Sequence, residues 1–236
     1  MITVYPYDQL GHADHGWLDA HHHFSFAHYW NDDRVHFGEL RVINDDKVGP
    51  KRGFGAHPHD NMEIITYVRE GAITHQDNLG NKGRTGAGDV QVMSAGTGVV
   101  HSEHNLEDVD TRLYQIWIMP DKENVTPRWE QREFPSTPVS AGALPLLVSG
   151  RDEDKGKGAL FIHQDAAISG GKLSAGAKIV QPIKHQAYLL TPSGGVTVNG
   201  VALNKGDGAE VTDLKEIVIE ASGEAEVLVI DVPKAA

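Results

Sequence analysis

The sequence contains no cysteine among its 236 residues. This absence excludes disulfide bonds, zinc–thiolate sites, iron–sulfur clusters and catalysis by a thiol. Any metal site or catalytic centre in this chain must therefore be built from histidine, carboxylate and other nitrogen or oxygen side chains.

Long apolar runs are also missing, and no run approaches the ~20 residues that a membrane-spanning helix requires. Residues 1–8 have neither the basic start nor the apolar centre of a secretory signal. We therefore expect a cytoplasmic protein that does not associate with a membrane.

Basic residues are few, because 21 Lys and Arg stand against 33 Asp and Glu, for a formal net charge of −12. Binding to the phosphate backbone of a nucleic acid requires a basic surface. We expect no direct nucleic-acid binding, whereas a protein partner is compatible with this charge.

The rest of the sequence is dominated by short runs rich in Val, Ile, Thr and Tyr, which Gly and Asp-Asn turns separate. Helical periodicity is rare, and only residues 20–30 and 126–134 are candidates for short helices. Prolines and other turn formers fill residues 135–145, which indicates a linker. The sequence predicts an all-β protein of two domains, 1–134 and 146–236, each a sandwich or barrel with few short helices.

The histidines are concentrated in the first half, where 12 of the 14 precede residue 135. A faint repeat relates the halves, because Gly88-Asp89 and Gly206-Asp207 each open a strand after a similar order of strand, glycine and turn. The second half contains no His-x-His pair and no His-x-Glu pair. It is expected to lack a metal site and to have a structural role.

Two short segments carry the candidate metal ligands, namely His57-x-His59 and His101-x-Glu103. On a β-strand, residues two apart share a face, so each pair can point into one cavity. Three imidazoles and one carboxylate would form a mononuclear site for a divalent first-row metal. Glu63, which follows His59 and opens an apolar strand, is nearly as good a carboxylate candidate as Glu103.

Other histidine motifs carry less weight, because about one His-x-His pair is expected by chance in a chain so rich in histidine. We expect no second metal site in the N-terminal cluster, because neighbouring histidines on a strand or short helix point in different directions. We interpret the similarity of His75-Gln76-Asp77 to His163-Gln164-Asp165 as coincidence. The N-terminal cluster comprises His12, His15, His21, His22, His23 and His28.

These motifs resemble those of bicupins and, more narrowly, of the pirin family. The first cupin motif corresponds to His57-x-His59-x3-Glu63 followed by Gly71, and the second to Gly88 through His101-x3-Asn105. The second motif departs from the usual pattern, with Ser94 in place of proline and two extra residues before His101. The segments that are similar to pirins cover most of the first half and reach into the second, and they are residues 12–18, 24–26, 41–46, 57–59, 94–98, 101–103, 115–117 and 161–165.

The resemblance implies two cupin domains, which are jelly-roll-like β-barrels in tandem, with one divalent transition metal in the first. The implied ligands are His57, His59, His101 and Glu103, while Glu63 becomes a neighbouring pocket group. Fe(II) is the favoured ion, with Zn, Mn, Co, Ni and Cu as alternatives.

The resemblance also implies a dioxygenase that opens flavonols such as quercetin with O2 and releases a depside and carbon monoxide. Glu103 would act as the catalytic base, with Glu63 as the alternative proton acceptor, in a pocket with apolar walls. Two alternatives remain open. One is a non-catalytic, metal-bound regulator that binds a protein partner, and the other is a different cupin activity, such as an isomerase, with flavonol turnover as a side reaction.

Overall fold

Alternation of apolar and polar residues produces strands along nearly the whole chain in the computed structural model, which describes residues 1–235. The first half contains strands β1 Ile2–Tyr5, β2 Gly11–Asp14, β3 Leu18–His22, β4 Leu40–Val48, β5 Gly53–His59, β6 Glu63–Glu70, β7 Ala72–Asp77, β8 Lys82–Gly86, β9 Val90–Ser94, β10 Val99–His104, β11 Thr111–Ile118 and β12 Arg128–Arg132. The second half contains β13 Val139–Gly142, β14 Leu146–Ser149, β15 Leu160–Phe161, β16 Ala167–Pro182, β17 Gln186–Ser193, β18 Val196–Val198, β19 Val201–Leu203, β20 Gly208–Val211, β21 Glu216–Glu220 and β22 Ala225–Val232.

The predicted short helices at 20–30 and 126–134 are wrong. Residues 18–22 form β3, which pairs with β4, and residues 128–132 form β12, which pairs with β9. Helical periodicity over so few residues is weaker than the pairing that an adjacent sheet edge offers. The helices of residues 1–235 are two 3₁₀ turns, Tyr7–Gln9 and Asp152–Asp154, and neither is long and apolar enough to cross a membrane.

The first half is built from two sheets that face each other. One has the strand order β12-β9-β6-β11-β4-β3-β2, and the other has the order β5-β10-β7-β8. Side chains of both sheets meet inside this barrel, which is where the candidate metal ligands lie. The second half is one large sheet with the main order β1-β20-β17-β22-β16-β21-β18-β19.

Two strands cross the domain limits that the sequence predicts. β1 belongs to the second-half sheet, where Ile2–Tyr5 pairs antiparallel with β20. β13 lies within the predicted linker but pairs in parallel with β16. The linker is therefore partly a strand, and the first four-residue strand is exchanged onto the second barrel.

The two halves share one apolar core, which forms where their large sheets pack together. Phe24, Ile65 and Tyr114 from the first half contact a cluster that includes Ile162 and Tyr188 from the second. A separate cluster fills the interior of the second barrel. Since β6 is buried on both faces, one face points into the first barrel and the other into the shared core.

Candidate metal centre

Three histidines converge because β5 and β10 are paired antiparallel inside the first barrel. The register places His57 opposite His101, and His59 shares the inward face with His57. Ligating atoms of these three side chains lie within 4.8 Å of one another. The structure thus brings together the three histidines that were predicted from the sequence as metal ligands.

The hydrogen bonds of two of these rings determine which nitrogen is free. His57 Nδ1 donates to the backbone oxygen of Gly55 at 2.7 Å, which leaves its Nε2 as an acceptor. His101 Nδ1 lies 3.3 Å from His75 Nδ1, and the other nitrogen of His75 lies 3.0 Å from the Asp77 carboxylate. His75 therefore carries its proton on Nε2, so His101 donates from Nδ1 and its Nε2 is also an acceptor.

The two free Nε2 atoms of His57 and His101 face each other at 3.0 Å. Two acceptor nitrogens this close repel each other unless a cation lies between them. Both can reach one ion at the usual metal–nitrogen distance of about 2.1 Å. The donor set therefore fits a divalent metal ion.

Electrostatics keep two of these rings neutral. Burial, followed by the neighbouring histidines, lowers the pKa of His101 to about 3, and burial with His57 lowers the pKa of His59 to about 4. Neutral imidazole is the form that binds a metal, so neither ring must lose a proton at pH 7.

Glu103 lies behind His101 on the same inward face of β10 and is almost fully buried. Its two oxygens accept hydrogen bonds of 2.6 Å from the Gln91 and Gln115 amides. Glu103 forms a ligand-like group within 4.8 Å with His101 and His75, but it lies outside the group of His57, His59 and His101. The structure thus places Glu103 beside one of the three histidines and not beside all of them.

Two carboxyl groups with raised pKa values, those of Glu103 and Asp46, line the same cavity. Burial raises the pKa of Glu103 to about 7. Burial, with Asp45 and Glu103 as neighbouring charges, raises the pKa of Asp46 to about 8. A divalent cation in this cavity would offset the cost of ionising either group.

Glu63 points away from this cavity. Ile64 lines the cavity wall, whereas Glu63 shares the opposite face of β6 with Ile65 and Tyr67, which pack in the shared core. The Glu63 carboxylate accepts a 2.8 Å hydrogen bond from Ser94 Oγ, and burial raises its pKa to about 7. Glu63 was expected to lie in the cavity beside the metal ligands, but it is not among the residues that line this cavity.

The three histidines open onto a cavity of about 100 Å³. Its polar side is formed by His22, Asn44, Asp46 and Gln115. Its apolar walls agree with the expectation from the sequence and are formed by Leu18, Ala20, Phe26, Phe54, Ile64 and Trp117. Apolar walls with a few polar groups are typical of sites for largely apolar ligands.

The sequence missed several side chains that surround the ligands, above all His75. The β7–β10 register sets Asp77 opposite His101 and His75 opposite Glu103. His75 and Asp77 are spaced i, i+2 on a strand, which is the same signal that identified His57 and His59. The other residues that the sequence did not identify are Asn44, Asp46, Gln91, Gln115 and Trp117.

The N-terminal histidines are spread over different surroundings. His22 lines the cavity and lies 2.7 Å from Asn44 Oδ1, while His23 is buried beside Tyr188. His12 and His21 flank Asp19 on the β2–β3 hairpin, with ligating atoms within 4.8 Å. That no metal binds at this hairpin stays a prediction.

Models of known protein families match both halves of the chain. The family model described as Pirin matches residues 4–118, and the one described as quercetinase C-terminal cupin domain matches residues 146–232. Together they cover the two barrels and confirm the prediction of cupin domains in tandem.

Individual relatives align over nearly the whole chain. A protein of Caulobacter vibrioides named pirin-like protein is 51% identical, over 98% of this chain and 99% of its own length. The quercetin 2,3-dioxygenase of Escherichia coli K12 is 43% identical, over 99% of both chains. The crystal structure of the bacterial pirin YhhW from Escherichia coli, in complex with nickel(II), has a TM-score of 0.90 at 42% identity and covers 99% of this chain and 100% of that one.

Proposed function

Because the chain belongs to the pirin family and its histidines converge at an apolar cavity, we propose that it is a metal-dependent dioxygenase that opens flavonols such as quercetin. The observation that carries the proposal is the pair of facing Nε2 atoms of His57 and His101, which line that cavity together with His59. The name of the Escherichia coli relative gives the substrate class.

In this proposal His57, His59 and His101 hold one divalent ion, and Glu103 supplies the fourth, carboxylate ligand. Fe(II) is the favoured ion, and Ni(II) is the first alternative because a related structure contains it. When bound, the ion supplies the electrophilic centre at which substrate and O2 react.

The apolar walls bind the flat ring system of the substrate and exclude water. Phe54 and Trp117 stand on opposite strands of the cavity wall, and the Trp117 ring contacts His59 edge-on, with centroids 5.0 Å apart. In this proposal the oxygenated edge of the flavonol faces the three histidines, which line the same cavity.

Glu103 accepts the proton of the flavonol 3-hydroxyl group. A divalent ion bound beside Glu103 would favour its ionised form, which is the form that accepts a proton. The amides of Gln91 and Gln115 hold this carboxylate in place during the transfer. Both atoms of O2 enter the ring-opened ester, and the carbon that bore the 3-hydroxyl leaves as carbon monoxide.

The test is oxygen uptake with quercetin by metal-free protein that is reconstituted separately with Fe(II), Mn, Co, Ni, Cu and Zn. We expect one O2 consumed and one CO released for each quercetin lost, with at least one of these ions. The His57→Gln/His59→Gln variant is the matched control and should be inactive.

Stoichiometrically loaded, folded protein that consumes no oxygen with any ion would overturn the proposed reaction. That outcome would favour the non-catalytic regulator, for which the acidic surface and a protein partner are the next points to examine.

A further inference from the structure

A row of buried polar groups lies behind His101, on the side away from His57. His101 Nδ1 is 3.3 Å from His75 Nδ1, and His75 Nε2 is 3.0 Å from Asp77 Oδ2. Their side chains are buried, with His75 and Asp77 on β7 and His101 on the neighbouring β10. The row joins an expected metal ligand to a carboxylate through one imidazole.

The Asp77 end of this row is held rigidly by the turn that follows β7. Asp77 Oδ1 accepts from the backbone N–H groups of Leu79 and Asn81 at 2.9 and 3.0 Å. Its Oδ2 accepts from the Asn81 amide at 2.8 Å. Burial raises the pKa of Asp77, but the hydrogen bonds from His75 and Asn81 outweigh it and keep the net pKa below its usual value.

The His75 ring is also fixed in its plane. It stacks on the Trp129 indole of β12, with centroids 4.9 Å apart and 8° between the planes. With Asp77 accepting from Nε2–H, the lone pair of His75 Nδ1 is directed at His101. His75 Nδ1 can therefore accept a hydrogen bond from His101 Nδ1–H.

We propose that His75 and Asp77 are positioning residues that hold His101 in the tautomer and orientation needed to bind the metal. His101 Nδ1–H donates to His75, and His75 Nε2–H donates to Asp77, which leaves His101 Nε2 free. Groups that orient metal-binding histidines in this way commonly contribute about 10–100-fold in metal affinity. The inference rests on the metal site of the proposed function and not on the flavonol reaction.

Three variants test the row. His75→Phe keeps an aromatic ring on Trp129 and removes both nitrogens, and Asp77→Asn keeps the shape and removes the charge. His75→Gln retains an amide oxygen that can accept from His101. The matched control is His185→Gln, because His185 makes a similar 2.9 Å contact with Asp165 in the second half.

The measurements are the Kd for Co(II), from competition with a chelator, and the visible absorption spectrum of the Co(II)-loaded protein. We expect a Kd raised about 10–100-fold in His75→Phe and Asp77→Asn, with an altered spectrum because His101 reorients. His75→Gln should recover part of the affinity, and His185→Gln should match the wild type. A purely structural role would lower the unfolding midpoint without changing the Co(II) spectrum.

Folded His75→Phe and Asp77→Asn proteins with wild-type Kd and spectrum would overturn the inference. If His75→Phe does not fold, Asp77→Asn decides the matter alone. Wild-type protein that binds Co(II) tightly but shows no oxygen uptake with any ion contradicts the flavonol reaction and leaves this inference standing.

Discussion

Two buried glutamates, Glu63 and Glu103, have similarly raised pKa values but quite different neighbours. Glu103 contacts two glutamine amides beside His101, whereas Glu63 contacts Ser94 on the face of β6 that points into the shared core. Burial alone therefore does not identify a metal ligand, and the face of the strand has to be known.

Replacing each glutamate by glutamine should separate their roles. Glu103→Gln removes a negative charge and a good oxygen donor beside the histidines, so metal affinity and turnover should fall. Glu63→Gln should keep its metal, because His57, His59, His101 and Glu103 are untouched. Metal content after dialysis against a mild chelator measures the difference. Metal loss in Glu63→Gln together with retention in Glu103→Gln would reverse the assignment.

Glu63 should also make stability depend on pH. Its pKa is about 7 in the folded protein and 4.5 in an unperturbed carboxyl, so between these values the folded state holds a proton that the unfolded state loses. The stability that Glu63 contributes is present below pH 4.5 and is lost as the pH rises through 7. Glu63→Gln cannot ionise, so it should gain up to about 3 kcal/mol relative to the wild type between pH 4.5 and 8.

Urea unfolding at pH 5 and pH 8 measures this gain in the free energy of unfolding. Glu216→Gln, at an exposed strand position, is the control and should show no such gain, because it keeps Glu63 and with it the wild-type pH dependence. Equal pH dependence of Glu63→Gln and the wild type would mean that Glu63 is ionised in the folded protein.

At the scale of elements, the turn between β9 and β10 is bonded to two other loops of the first barrel, the one before β6 and the one before β12. Gly96 adopts φ +48°, its oxygen accepts from Asn61 N–H, and Thr97 N–H donates to the Val125 oxygen. A Cβ on Gly96 would lie 1.9 Å from that Val125 oxygen. The strand that carries His101 begins just after this turn.

Gly96→Ala should therefore destabilise the protein by at least about 2 kcal/mol, since backbone strain and a backbone clash act together. Gly88→Ala is the matched control, because Gly88 also has a positive φ but faces open space. It should cost about 1 kcal/mol from strain alone. Urea unfolding of both variants measures the difference, and equal losses would show that the clash is relieved elsewhere.

The β2–β3 hairpin provides a test of metal stoichiometry. His12 and His21 flank Asp19 there, but His12 lies 2.7 Å from Asp19 and His21 lies 2.9 Å from the Tyr7 hydroxyl, so each is already engaged. We expect one metal per chain, unchanged in His12→Gln/His21→Gln. Elemental analysis measures it, with His57→Gln/His59→Gln as the control that loses the metal. A second equivalent of metal that disappears with His12 and His21 would contradict the expectation.

The sequence predicts features that depend on local order and misses those that depend on register. The i, i+2 spacing of His57 and His59 is a local property of a strand, so their shared direction could be predicted. The role of His75 depends on the register between β7 and β10, and the local sequence pattern does not predict that register. The inward face of β6 could not be identified either, because both faces are buried and hydrophobicity does not alternate along it.

At the scale of the whole molecule, the two halves depend on each other. The face of the first barrel that carries Ile65 and Tyr114 is covered by the second half, and the Tyr67 hydroxyl donates to the buried Glu226 carboxylate. The second half therefore covers an apolar sheet face that would otherwise meet water.

A fragment of residues 1–134 should consequently fail to unfold cooperatively and should bind a hydrophobic dye, because its half of the shared core is exposed. The control is the intact chain cleaved after folding at an engineered protease site within the exposed residues 135–138. That nicked protein should keep its metal and its cooperative transition. A fragment 1–134 that unfolds cooperatively on its own would show that the halves are independent domains.

The exchange of β1 onto the second barrel has a consequence for synthesis on the ribosome. Tyr5 pairs with Gly208, so β1 is translated some 200 residues before its partner strand. At a translation rate of about 5–20 residues per second, β20 is synthesised about 10–40 s after β1. During translation the edge of β1 is unpaired and available to other chains, so nascent copies on one messenger RNA can exchange this strand.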